Sequence, residues 1–191
     1  MTQDTRIITV SGRIGAGSTT LANGISHHLG WKHIEGGEIF WEAIRSRMQV
    51  DAKDTNLRPD EEDSLFDAQL KKILAENHNI VLETKLAAFN AQGISGVYKI
   101  LVVCENHHGE DQPQIRIDRL VNREGKNVED AKQEVLEREK NDLAKWRHMY
   151  AHDDKDWVYF DPKYYDLVIN TFEHSKEETL KIVLESLEQQ K

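Results

Sequence analysis

Residues 11–20 read SGRIGAGSTT, with Gly12 and Gly17 separated by four residues and followed by Ser18 and Thr19. That is the pattern G-x-x-x-x-G-K-[ST] with serine where the lysine belongs. Glycines at this spacing let backbone N–H groups converge on phosphate oxygens, and a helix starting after the second glycine aims its positive dipole end at the same anion. Gly12, Arg13, Ile14, Gly15, Ala16, Gly17, Ser18, Thr19 and Thr20 are therefore expected to hold a nucleotide polyphosphate. The Thr19 hydroxyl takes the position that meets Mg2+, and Thr20 is the next polar group of the first turn. The ammonium that would reach the β- and γ-phosphates is missing. The alternative is that the glycines form only a flexible strand-to-helix connection. A dinucleotide loop does not fit, because the spacing departs from G-x-G-x-x-G.

Phosphoryl transfer needs positive charge around the transferred group, and cations from elsewhere in the chain can supply it. Arg116, Arg119 and Arg123 fall at i, i+3 and i+7, on one face of a helix, and suit a lid that closes guanidinium groups onto phosphates. Arg138 and Arg147 can add to them, and Arg13 lies inside the loop itself. The competing reading is a solvated charged helix, since Glu134 and Arg138 are spaced for an i, i+4 pair and acids nearly match bases throughout. Glu83 ends an apolar run, at the strand end where ligands gather in open parallel sheets. It is expected to orient a metal-bound water or an acceptor; its alternative is a cap on the next helix. His148 and His152 are read as a surface pair with no third metal ligand, and Cys104 as a buried, inert thiol. Of the four tryptophans, Trp41 is the one read as a possible ligand contact.

These residues must be held by elements, and the chain alternates short β-type runs with helical ones. Ile7 to Val10 reads as a strand feeding the glycine loop, and Leu21, Ala22, Ile25 and Leu29 recur at helical spacing until Gly30 ends the helix. Further strands are expected at Trp31–Ile34, Asn79–Glu83, Tyr98–Cys104 and Tyr164–Thr171. Leu65, Phe66, Gln69, Leu70, Ile73 and Leu74 trace a helical stripe, and Leu180, Val183, Leu184 and Leu187 a closing one. Such alternation predicts an α/β domain, a parallel sheet with helices on both faces. The polar segment from Glu105 to about Tyr150 interrupts the rhythm with a long helical pattern.

The length of 191 residues suits a single domain. A formal net charge of -9, from 34 Asp and Glu against 25 Lys and Arg, argues against a broad surface for nucleic acid or anionic membrane. It leaves room for a small anion in a locally positive cleft. One cysteine cannot form an internal disulfide, no run approaches the roughly 20 apolar residues of a membrane span, and MTQDTR lacks the apolar stretch of a signal peptide. A cytoplasmic monomer is expected.

Taken in order, IITVSGRIGAGSTTLA, LGWKHIEGGEIF, NIVLETKLAAF, YKILVV, RIDRLVNREG, VLEREKNDLAKWRHMY and YYDLVINT resemble the archaeal-type cytidylate kinases, within the nucleoside monophosphate kinases. The resemblance covers nearly the whole chain. It implies a P-loop kinase with a five-stranded parallel sheet, a monophosphate-binding region at about 37–69, and a lid with its supporting helix at about 116–150. The implied reaction transfers the γ-phosphoryl group of ATP, with Mg2+, to CMP or dCMP. By the same resemblance Arg116, Arg119, Arg123 and Arg138 act on the transferred phosphate, and Glu38, Trp41, Arg45, Glu83 and Lys85 meet the acceptor. The departures are specific. Family members usually place arginine where Trp41 stands, which leaves Arg45 or Arg47 to replace it. They also place Gly-Arg after the strand glutamate, where this chain has Thr84 and Lys85. With Ser18, three cationic phosphate contacts are lost or weakened, and Lys85 cannot make a guanidinium's planar bidentate contact. A nucleotide-binding or regulatory protein with weak or lost transfer, or a kinase for another small metabolite, are the competing functions.

Overall fold

The structure, a computed structural model, describes residues 5–40, 58–125 and 127–189. Trp41, Arg45 and Arg47 lie outside the described residues. Strand β1 (Ile7–Gly12) is buried at every position and runs directly into the glycine loop. Helix α1 (Ser18–Leu29) follows and ends at Gly30, whose φ of 65° only glycine adopts freely, with its N–H on the Ser26 carbonyl. The chain continues as β2 (Lys32–Glu35), helix α2 (described over 36–40), α3 (Asp60–Glu76), β3 (Ile80–Glu83), the short α4 (Ala87–Asn90) and β4 (Val97–Val103). Then come α5 (Pro113–Glu124), α6 (Val128–Lys132), a π-helical turn (Gln133–Arg138), α7 (Glu139–Ala151), β5 (Leu167–Asn170) and α8 (Lys176–Glu188).

The five strands form one parallel sheet in the order β2-β3-β1-β4-β5. Because side chains alternate along a strand, Ile8 and Val10 face one side and Ile7 the other. Ile8, Val10, Val81, Tyr98, Ile100 and Val102 pack with Leu21, Ala22 and Ile25 of α1 and Val183 of α8. On the opposite face Ile7, Ile80, Leu82 and Val97 pack with Leu70 and Leu74 of α3 and with Ala87 and Ala91. With β1 central, its C-terminal end delivers the loop to the middle of the sheet edge, between β3 and β4.

Two expected elements are shifted or misread. The last strand starts at Leu167 rather than Tyr164, because Asp161 accepts the Lys163 N–H at 3.0 Å and folds Pro162–Tyr164 into a 3₁₀ turn. The α3 stripe is also less apolar than expected. Leu65 is 55% exposed, whereas Asp63 and Asp67 are buried beside Leu70 and Leu74. Asp67 takes a hydrogen bond from Asn90 at 2.8 Å and another from the Tyr150 hydroxyl. The helix therefore turns a charged edge toward α7.

Leu70→Ala should cost about 2–5 kcal/mol, whereas Leu65→Ala, one helix face away, should change stability by less than about 0.5 kcal/mol. Urea unfolding of both variants checks the stripe, and equal losses would overturn it.

Candidate active site

The loop leaves β1 at Gly12 and turns through Gly15 (φ 78°) and Gly17 (φ 111°) into α1. A side chain at Gly15 would place its Cβ 2.5 Å from the Arg116 carbonyl oxygen, so the loop packs its backbone directly on α5. Gly17 caps α1 without any side-chain hydrogen bond, which leaves the first-turn amides facing the cleft. The cleft, about 880 Å³ in volume, is lined by the whole of residues 12–21, by Glu35, Gly37, Phe40 and Phe66, by Arg58, Asp63 and Asp67, by Glu83–Leu86, and by Arg119, Arg123, Arg138, Asp142 and Trp146.

The structure answers what Ser18 does. Its Oγ donates to Glu83 Oε1 at 2.8 Å, and Thr19 Oγ1 reaches the same oxygen at 3.4 Å. Glu83 ends β3 beside Glu35, its registered partner on β2. Burial pushes the Glu83 carboxyl up to about 7, the Ser18 hydroxyl opposes that, and the Glu35 charge adds to it. Glu83 does not cap the next helix, since α4 (Ala87–Asn90) has Leu86 at its N-cap and no side-chain cap.

Several arginines expected over the phosphates bond the loop's carbonyls and the carboxylates beside it. Arg116, 1% exposed, donates to the Ile14 carbonyl at 2.7 Å and pairs with Asp111 at 2.7 Å and Glu139 at 3.0 Å. Arg13, which lines the cleft, spends its guanidinium on Glu139 (Nε–Oε1 2.8 Å), on Asp111 at 3.1 Å and on the Phe160 ring. Glu139 also accepts the Ile14 N–H at 3.3 Å. Arg119 donates to the Ala16 carbonyl at 3.1 Å and to Thr171 Oγ1 at 2.8 Å, and Thr171 in turn donates to the Ala16 carbonyl at 2.7 Å. For Arg116 and Arg119 the physical reason is shared: a loop whose amides face a ligand leaves its carbonyls facing the protein, where they need donors. Arg123, in the last turn of α5, and Arg138 do line the cleft, Arg138 beside Glu134 at 3.8 Å as its spacing foretold.

Among the residues expected to meet an acceptor, Lys85 binds Asp142 at 2.7 Å, and burial pulls its ammonium pKa down against that attraction. Arg58 makes a bidentate pair with Asp63, at 2.8 and 2.9 Å, over the Phe40 ring. Glu38 is exposed and does not line the cleft; Glu35 and Gly37 do. Sequence reasoning missed Arg58, Asp63, Asp111, Glu139, Asp142 and Thr171. The one available signal was the acidic content of the segment from Glu105 to Tyr150, read as solvation but partly spent inside on arginines. Cys104 is buried as expected, His148 lies at the surface on Asp153 at 3.1 Å, and Arg147 serves the Trp157 carbonyl at 2.9 Å. No helix among the described residues is long and apolar enough to cross a membrane.

Removing Glu139 would leave Arg13 and Arg116 with Asp111 as their remaining shared carboxylate. Glu139→Ala should lower stability by about 3–5 kcal/mol in urea unfolding, and Glu139→Gln by less, because an amide oxygen can still accept from Ile14. A loss below about 1 kcal/mol for Glu139→Ala would contradict the clamp.

A family model described as AAA domain matches residues 11–137. The cytidylate kinase of Methanopyrus kandleri is 32% identical over 179 residues, covering 93% of this chain and 90% of that protein. The cytidylate kinase of Pyrococcus horikoshii is 31% identical over 187 residues, covering 96% and 88%. Shikimate kinase from Acinetobacter baumannii superposes with a TM-score of 0.57 at 13% identity, over 99% of this chain and 96% of that one, which shows a shared fold. The glycine loop at the centre of a parallel sheet and similarity along nearly the whole length lead to one assignment: the chain belongs to the cytidylate kinases, within the AAA-domain family of phosphate-loop proteins.

Proposed function

We propose that the chain transfers the γ-phosphoryl group of ATP, with Mg2+, to CMP or dCMP. The observation that carries this reading is the uncapped start of α1 behind two left-handed glycines, opening into a cleft that also has an acceptor side. The amides from Gly15 to Thr20 hold the polyphosphate, with the dipole of α1 behind them. Arg119 and Thr171 keep the loop in shape through the Ala16 carbonyl. Thr19 and Glu83 offer the hard oxygens that Mg2+ takes, and the ion, when bound, neutralises phosphate charge. Residues 116–150 serve as the lid and its support, with Arg123 and Arg138 brought onto the transferred group. Residues 37–69 hold the acceptor with Phe40, Phe66 and Arg58, together with Lys85. Positioning and preorganised charge, rather than covalent chemistry, supply the rate.

A second reading, phosphorylation of an unphosphorylated small metabolite, is favoured by one observation. Arg58 and Lys85 on the acceptor side are already matched, Arg58 with Asp63 and Lys85 with Asp142, so an acceptor phosphate must compete with carboxylates for them.

ADP release coupled to an indicator reaction, measured with ATP and Mg2+ across nucleoside monophosphates and unphosphorylated alcohols, separates the readings. CMP and dCMP are expected to turn over fastest; turnover only with an alcohol would overturn the first reading. Arg123→Ala is expected to lower kcat on the order of a thousandfold, while the KM for ATP moves by less than about threefold, because a lid contact acts mainly in the transition state. Unchanged turnover would return residues 116–150 to the role of a solvated charged helix.

A further inference from the structure

In the loop pattern the lysine ammonium brings positive charge to the outer phosphates. In this chain the same position carries a hydroxyl that points at a carboxylate. Ser18 and Thr19 both address Glu83 Oε1, at 2.8 and 3.4 Å, and Glu35 stands beside Glu83 in strand register. Both carboxylates line the cleft. The loop's own arginine is already matched, since the Arg13 guanidinium is paired with Glu139 and Asp111 and stacked on Phe160. A polyphosphate entering this corner thus meets two carboxylates where the pattern would offer an ammonium. Like charges a few ångströms apart in a partly desolvated cleft repel strongly, and a cation between them reverses the sign of the interaction.

We propose that Ser18 is a positioning residue: it fixes the Glu83 carboxylate next to the Thr19 hydroxyl, so that a divalent cation on Thr19 and Glu83 takes over the charge the lysine would supply. Nucleotide binding in this chain is therefore metal-dependent to a degree that a lysine-bearing loop need not be. This rests on the reading of residues 12–20 as the nucleotide loop. The donor set agrees with it: a carboxylate and a hydroxyl, all hard oxygen, suit Mg2+. A lysine at 18 would instead meet Glu83 as an ion partner and occupy the cation's place.

The test is titration calorimetry with β,γ-imido-ATP, which is not hydrolysed, in Mg2+ and again in EDTA, on the wild type, Ser18→Ala and Ser18→Lys. The wild type is expected to bind at least about a hundredfold more weakly in EDTA. Ser18→Ala, which frees Glu83, should weaken binding in Mg2+ about tenfold and leave binding in EDTA unchanged, the effect of one hydrogen bond to a charged group. Ser18→Lys should bind in EDTA within about tenfold of its affinity in Mg2+. A merely structural role for Ser18 would shift both conditions alike and keep the wild-type ratio. Equal wild-type affinity in Mg2+ and EDTA, or an unaltered ratio in both variants, overturns the inference while the nucleotide loop stands. Binding in neither condition overturns the loop reading and this inference together.

Discussion

A backbone that turns its amides toward a ligand must satisfy its carbonyls on the other side, and in this chain that requirement organises the loop and the arginines around it. The peptide groups at Ile14 are held at both ends, the N–H by Glu139 and the carbonyl by Arg116. Two residues on, the Ala16 carbonyl takes Arg119 and Thr171. Thr171 follows β5, Arg116 and Arg119 come from α5, and Glu139 opens α7. Three segments distant in sequence thus converge on the backbone from Ile14 to Ala16. The loop's shape is a tertiary property, and the glycines only make it attainable.

The same convergence decides where charge goes. Arg116 is buried, and two carboxylates, Asp111 and Glu139, neutralise it in place. Such a cluster adds little net stability, since desolvation consumes much of the attraction, but it is unforgiving of the loss of one member. It also occupies the guanidinium groups of Arg13 and Arg116 with carboxylates. Arg119, Arg123 and Arg138 from one flank and Lys85 and Arg58 from the other line the cleft, together with the carboxylates of Glu35, Glu83 and Asp142. Where the motif would have a lysine, Ser18 ties the loop to β3.

The sheet and the loop were legible in the sequence because both rest on local patterns. Ile7–Gly12 and Val97–Val103 are apolar enough to be central strands, and Gly12 to Thr19 keep their spacing whatever surrounds them. The allocation of arginines was not legible. The helical spacing of 116, 119 and 123 correctly places them along one face of α5, yet that face runs from the back of the loop to the cleft, so the three do different work. Their partners Ile14, Ala16, Glu139 and Thr171 lie far away in sequence, and no local pattern encodes such pairings. For the same reason the stripe read on α3 gave no sign of Asp63 and Asp67, which are buried against Arg58 and Tyr150.

The claim that the loop is shaped by a clamp from behind and binds phosphate from the front can be read amide by amide. Hydrogen exchange resolved at residues 12–20, with and without β,γ-imido-ATP and Mg2+, separates the two faces. The Ile14 N–H, held by Glu139, should be protected in the free protein and gain nothing from nucleotide, while Gly15, Gly17, Ser18 and Thr19 should gain protection on binding. An Ile14 amide that exchanges freely until nucleotide is added, with no change at Gly15 to Thr19, would contradict it.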